Sequence, residues 1–193
     1  MPCPVLQVIA ASTRPGRRGI AVARWLQQFA ETHGGFDVEL VDLAEVGLPV
    51  FDEPNHPRLR RYTHQHTKDW SATVERADAF VFVVPEYNHS FPASVKNALD
   101  YLSLEWADKP AGLVSYGGVS AGLRAATALK PVLAALRMVP VVEAVSIPFF
   151  AQFLGDDDEF VPNAELEAGA KAMLDELVRL APALRQLRSS EAA

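Results

Sequence analysis

The chain reads as an α/β protein, a three-layer α-β-α sandwich whose middle layer is a five-stranded parallel sheet. Three observations carry this expectation. Apolar runs rich in β-branched residues alternate with stretches of helical periodicity along the whole length, the pattern of successive βα units. The run Ala79-Phe80-Val81-Phe82-Val83-Val84 is apolar without interruption, as a central strand covered on both faces requires. Short polar loops containing glycine, serine or asparagine follow the first, third and fourth apolar runs, where open sheets of this kind bind ligands.

Taken in order, the first strand is Val5-Leu6-Gln7-Val8-Ile9-Ala10. A helix over residues 19–32 follows, with Val22, Leu26, Phe29 and Ala30 on one face, and Gly34-Gly35 closes it. Residues 36–41 alternate apolar and polar, which suggests a half-exposed strand at a sheet edge. The segment 44–61 holds Pro49, Pro54 and Pro57 and reads as irregular; residues 62–77 read as a helix with Trp70, Val74 and Ala77 inward. After the central strand, a helix starts at Pro92, a residue suited to a first turn, and carries the stripe Val95, Ala98, Leu99, Leu102. Residues 111–115 form the fourth strand and 121–136 a helix that Pro131 should kink or split. Residues 139–147 form the fifth strand. Asn163 caps a last helix that ends near Pro182, leaving residues 1–184 as one domain and 185–193 as a frayed tail. Five strands in a domain of this length fit the flavodoxin-like order 2-1-3-4-5 better than a six-stranded dinucleotide fold.

Composition narrows the function classes. The 193 residues are 49% apolar and 22% charged with a net charge of −6, which argues against nucleic acid as a partner because phosphate neutralisation needs a basic face. Cys3 is the only cysteine, so an intramolecular disulfide and a cysteine-ligated cluster are both excluded, and a reducing cytoplasm is the expected location. The apolar stretch 5–11 is too short to span a membrane and reads as a buried strand; neither a membrane nor a metal is expected. His64 and His66, two apart on the expected helix, should face different sides. Trp25 and Trp70 read as core, and Trp106 as either a pocket wall or a subunit contact.

The three loops carry the chemistry. Ser12-Thr13-Arg14-Pro15-Gly16-Arg17-Arg18-Gly19 stands where a helix N-terminus presents unpaired N–H groups and the positive end of a dipole to an anion. Ser12 and Thr13 add hydroxyls, Arg14 a charge-assisted pair, and Gly16 and Gly19 let the backbone curl closely. Neither GxGxxG nor GxxxxGK[ST] is present, and no acidic residue ends the second strand at the dinucleotide distance of about 20 residues, so a monophosphate is the better guest. Pro85-Glu86-Tyr87-Asn88-His89-Ser90 offers a flat aromatic face and an amide to a planar heterocycle. Ser115-Tyr116-Gly117-Gly118 offers a glycine turn against which a ring can approach backbone N–H groups.

Together these loops resemble those of the NADPH-dependent FMN reductase family, the flavodoxin-like group that includes azoreductases, quinone reductases and chromate reductases. Residues 12–17 look like the family's phosphate loop, and the run from Pro85 through Asn97-Ala98-Leu99-Asp100 is similar to its longest signature. Ala11, where the family commonly has glycine, and Arg17-Arg18-Gly19, where many members have serine and asparagine, depart from the pattern. The resemblance implies that Ser12, Thr13, Arg14, Arg17, Gly19 and the amides up to Ile20 hold an FMN phosphate. It further implies that Pro85, Glu86, Tyr87 and Asn88 meet the isoalloxazine, and that Ser115, Tyr116, Gly117 and Gly118 meet its other edge. The implied activity passes electrons from NADPH through FMN to small-molecule acceptors, by a ping-pong mechanism without a side-chain catalyst. Arg17 and Arg18 would read the NADPH 2′-phosphate, and a homodimer or homotetramer would meet around residues 92–103 and Trp106. The alternative is a flavodoxin-like FMN-binding electron carrier without reductase activity.

Overall fold

A computed structural model describes residues 3–191. Its strands are β1 (Val5–Ala10), β2 (Asp37–Asp42), β3 (Ala79–Pro85), β4 (Pro110–Tyr116) and β5 (Val139–Ile147). The helices are α1 (Gly19–His33), α2 (Leu43–Val46), α3 (Gln65–Glu75), α4 (Ala93–Asp100), α5 (Leu123–Ala135) and α6 (Ala164–Glu191). All strand pairs are parallel and the order is β2-β1-β3-β4-β5, the flavodoxin-like order expected from the βα alternation. Every residue of β3 and β4 is buried, whereas β2 and β5, at the edges, are partly exposed.

Side-chain alternation along β3 divides the interior into two cores. Val81 and Val83 join Leu6, Val8 and Val114 beneath α1 and α6, where Trp25, Leu26, Met173 and Leu177 pack. Phe80, Phe82 and Val84 point the other way, toward Trp70, Leu99 and Leu129 of α3, α4 and α5. Trp106 belongs to this second core. Its ring lies 5.0 Å from Phe80 and 5.9 Å from Trp70, its indole N–H donates to the Leu99 carbonyl, and none of it is exposed. It is therefore neither a pocket wall nor a surface for another subunit.

Three elements depart from the periodicity reading. The helix expected from residue 62 begins at Gln65, because the Tyr62 hydroxyl donates to buried Glu105 (2.8 Å) and the Thr63 and His64 amides donate to Glu53. His64 is thus an extended residue ahead of the helix. Its ring stacks on His66 at 5.2 Å and both face Asp52, so the pair does not diverge as two helical positions would. Pro131 leaves α5 continuous: Pro131 and Thr127, whose carbonyl loses its partner, both lie on the solvent side, where that carbonyl is open to water. Pro182 likewise sits exposed within α6, which runs on to Glu191. Arg188 anchors that last stretch, donating to Asp78 (2.7 Å) and to the Asp108 carbonyl (2.6 Å), with Arg185 beside it at 3.5 Å from Asp78.

Candidate functional site

The order of the sheet reverses between β1 and β3, and there the loops after β1, β3, β4 and β5 meet at the carboxyl rim. They enclose a cavity of about 170 Å³.

The β1–α1 loop forms one wall. A turn closed by the Arg17 amide on the Arg14 carbonyl places Gly16 at φ 70°, a left-handed conformation that glycine adopts freely. No side chain caps α1, and while the Ala21 amide bonds the Arg18 carbonyl (3.0 Å), the Gly19 and Ile20 amides stay available to an anion. Gly19 is required for a different reason. A Cβ there would stand 1.8 Å from the Tyr116 hydroxyl oxygen, so the tyrosine occupies the space a side chain would fill. Ser12, buried to 3% exposure, shares a 2.8 Å hydrogen bond with the Tyr87 hydroxyl. Arg14 lines the cavity with no ion-pair partner among the described residues. Arg17 is instead bound to Asp42, which also accepts from the Ala44 amide as the N-cap of α2. Its buried Nε still lacks a partner, and the residue lines the cavity.

The β3–α4 loop supplies Pro85, Glu86 and Tyr87. Tyr87 and Ser90 exchange both backbone hydrogen bonds, and Asn88 and His89 between them sit at φ 49° and 69°, the two left-handed positions of a type I′ turn. Asn88 is thus carried out to the exposed tip and does not line the cavity. The Glu86 carboxylate reaches across to the next loop, accepting from the Arg124 amide (3.1 Å) and guanidinium (2.7 Å). Burial opposes its ionisation, but the hydrogen bonds from Arg124 and Ser120 prevail and hold its pKa below the ordinary carboxylate value.

The β4–α5 loop completes the enclosure. Tyr116 is 6% exposed and its ring packs on Phe150 with centroids 4.9 Å apart. Burial and the field of Tyr87 push its phenol pKa up, against the pull of Ser12, Arg14 and Arg17. Its hydroxyl lies against Gly19 at the start of α1. Gly117 lines the wall and Gly118 opens on free space at the rim.

Nine of the sequence-derived candidates meet around this cavity: Ser12, Arg14, Arg17, Gly19, Pro85, Glu86, Tyr87, Tyr116 and Gly117. Thr13 does not; it faces a larger cavity of about 670 Å³ between α2, the segment 47–51 and α4. That cavity is the bigger of the two, and Ala93 and Ser94 in the first turn of α4 line it. The Ile20 side chain packs on the first core, leaving only its amide in the first turn of α1. Ser115 is 1% exposed and donates to the Ala121 carbonyl (2.9 Å), which holds the turn rather than a ligand. Two wall residues were outside the set expected to hold FMN. Arg18 continues the first loop, and its pair with Asp158 is exposed on both sides. Phe150 follows β5, where the aromatic doublet Phe149-Phe150 at the end of a parallel strand was the available signal.

Residues 5–152 match the family described as NADPH-dependent FMN reductase. The chain is 41% identical over 149 residues to an NAD(P)H-dependent FMN reductase of Schizosaccharomyces pombe, across 75% of this chain and 74% of the relative. It is 27% identical over 174 residues to an FMN-dependent NADPH-azoreductase of Staphylococcus saprophyticus, across 89% and 92%. In fold it is similar to FerB, an NAD(P)H:(acceptor) oxidoreductase of Paracoccus denitrificans, with a TM-score of 0.72 at 22% identity over 93% of this chain and 97% of that one.

Proposed function

The chain belongs to the NADPH-dependent FMN reductase family, and on that premise we propose that it passes electrons from NADPH through FMN to small oxidants by ping-pong alternation. It is an oxidoreductase that uses FMN and NADPH. The oxidants in view are quinones, azo and nitro aromatics, metal oxyanions and free flavin.

The observation that carries this reading is the convergence of the phosphate-type loop, the Tyr87 turn and the Gly117 turn on one cavity. The residues there fit FMN. Arg14 without a partner, the open N-terminus of α1 and the orphaned Arg17 Nε suit a phosphate. Gly118, with nothing within 4 Å of its Cβ position, suits a flat ring. At about 170 Å³ the cavity is below the usual several hundred Å³ of a ligand pocket, which supports a ring lying across the open rim, within reach of varied oxidants.

FMN, when bound, supplies the two-electron chemistry that links hydride donor to acceptor. The overall balance with a quinone is NADPH, a proton and quinone giving NADP⁺ and hydroquinone. The chain's own contribution is positional. Arg14 and the α1 amides bind the anion, Ser12 and Tyr87 hold the two loops together, and Tyr116 fills the space above Gly19. Glu86 is committed to Arg124, so no free carboxylate is assigned proton transfer. Arg18, with its side chain 54% exposed, is better placed than Arg17 to meet a dinucleotide 2′-phosphate, since Arg17 is held by Asp42.

We place this activity in a single cytoplasmic domain; no helix among the described residues is long and apolar enough to cross a membrane. We also propose a homo-oligomeric contact through α4 and the adjoining segment, where Val50 is 87% and Phe51 38% exposed. The test is to load the purified protein with FMN and follow NADPH consumption with a quinone. Rapid consumption is expected. FMN bound without consumption would make the protein an electron carrier, and no FMN binding would remove the reading altogether.

A further inference from the structure

Two turns beside the cavity leave large apolar side chains in solvent at fixed positions. Phe149 is 50% exposed and sits at φ 44°, ψ 45°, a conformation that is a genuine outlier for a bulky residue. The surroundings enforce it: the Phe149 amide donates to the Gly118 carbonyl (3.0 Å), the Phe150 amide to the Gly117 carbonyl (3.1 Å), and the Gln152 amide to the Phe149 carbonyl (2.8 Å). Phe150 is thereby turned inward onto Tyr116, and the Phe149 ring outward. Across from it Val119 is 78% exposed and Leu123 53%. Their turn is pinned by the Ala121 amide on the Gly118 carbonyl, by Ser115, and by the Glu86–Arg124 pair.

These side chains adjoin Gly118, whose Cβ position meets nothing within 4 Å, and Gly117, which lines the cavity. Residues 117–123 and 147–153 contain no charged side chain. Backbone strain that persists beside a site, and apolar area that is clustered rather than scattered, both mark a binding surface.

We propose that Val119 and Phe149 are specificity-determining residues, a preformed apolar shelf that receives an uncharged aromatic oxidant and disfavours a metal oxyanion. This rests on the functional reading above and narrows its acceptors to one class. An oxyanion would have to lie against apolar side chains, and Arg124, which follows Leu123, is already paired with Glu86. A planar quinone buries its ring there and takes up the two electrons and two protons of the balance already given.

The experiment uses the FMN-loaded protein with 2-methyl-1,4-naphthoquinone and, as the hydrophilic control, ferricyanide. Titrating the naphthoquinone into the oxidised protein, followed by flavin absorbance, gives its affinity apart from turnover. Phe149→Ser and Val119→Ser should each raise its KM and dissociation constant about tenfold, the order of a lost ring or methyl-group contact, with kcat and the ferricyanide KM unchanged. Unaltered naphthoquinone affinity in both variants overturns the shelf, as does an equal rise for ferricyanide. If Phe149→Ser fails to fold, Val119→Ser decides alone, since Val119 carries no strained backbone angle. A sedimenting dimer that Val119→Ser splits without changing naphthoquinone affinity would make this face a subunit contact and also overturn the proposal. Failure of the unaltered protein to bind FMN defeats the underlying functional reading, a result separate from all of these.

Discussion

Replacing Gly19 by alanine tests how the cavity is built. The backbone at Gly19 is not in the left-handed region, so alanine is conformationally acceptable, and at a helical position it should stabilise by about 0.5–1 kcal/mol. Packing opposes this. The new methyl would stand 1.8 Å from the Tyr116 hydroxyl oxygen and 2.5 Å from the ring carbon that bears it, where ordinary contact begins at 3.4 Å, so the ring must retreat by about 1.6 Å. Tyr116 has little room, being 6% exposed and backed by Phe150. Overpacking of this kind costs about 1–3 kcal/mol. The net expectation is a loss of about 1–2 kcal/mol, or about 2–4 °C in Tm per kcal/mol for a chain of this size. A displaced tyrosine swings toward Ser12 and Tyr87, where the phosphate would lie, so FMN affinity should fall about tenfold, equivalent to about 1.4 kcal/mol. Thermal melting and a flavin-fluorescence titration measure the two effects. Tyr116→Leu removes the atoms that collide, so the double variant should recover the melting loss, a coupling of about 1–2 kcal/mol. Should Gly19→Ala melt above the wild type and bind FMN equally well, the contact with Tyr116 is not what shapes the site.

Three further outcomes follow from particular side chains. Arg14→Gln should weaken FMN binding about tenfold to hundredfold with little change in Tm, while Arg17→Gln should lower stability by about 1–3 kcal/mol, because Asp42, 5% exposed, is left without its cation. Equal effects of the two on Tm would refute the division of labour. Glu86 has a folded pKa below its ordinary 4.5, so its stabilisation is complete above that pH and is lost as pH falls through the folded value. Urea titrations of wild type and Glu86→Gln should therefore diverge above pH 4.5 and converge in acid. Burial, aided by Arg188, lowers the Lys109 pKa from 10.5 to about 8, so between those values the unfolded chain holds a proton that the folded one has released. The stability of wild type relative to Lys109→Met should rise with pH across that window, and a flat difference would show that Lys109 stays charged.

Local pattern carried most of the fold. β1 and β5 are as their apolar runs delimit them, and β3, the most apolar run, is the central strand. The three loops were legible because each is contiguous in sequence and tied to a strand end, and the parallel order brings those ends together without any side chain being decisive. What remained hidden depends on partners far apart in the chain. Arg17 looked free to bind phosphate until register placed Asp42 of β2 beside it. The contact of Tyr116 with Gly19 arises only because the pleat of β4 turns the ring beneath α1. Trp106 looked available until Trp70 and Phe80 enclosed it, and α6 continued past Pro182 because Asp78 and Asp108 hold its far end. Periodicity is a property of a few neighbouring residues and survives in the bare sequence. The choice of partner, the burial of a charge and the direction of a ring arise only when distant segments pack, and these decided the details of the site.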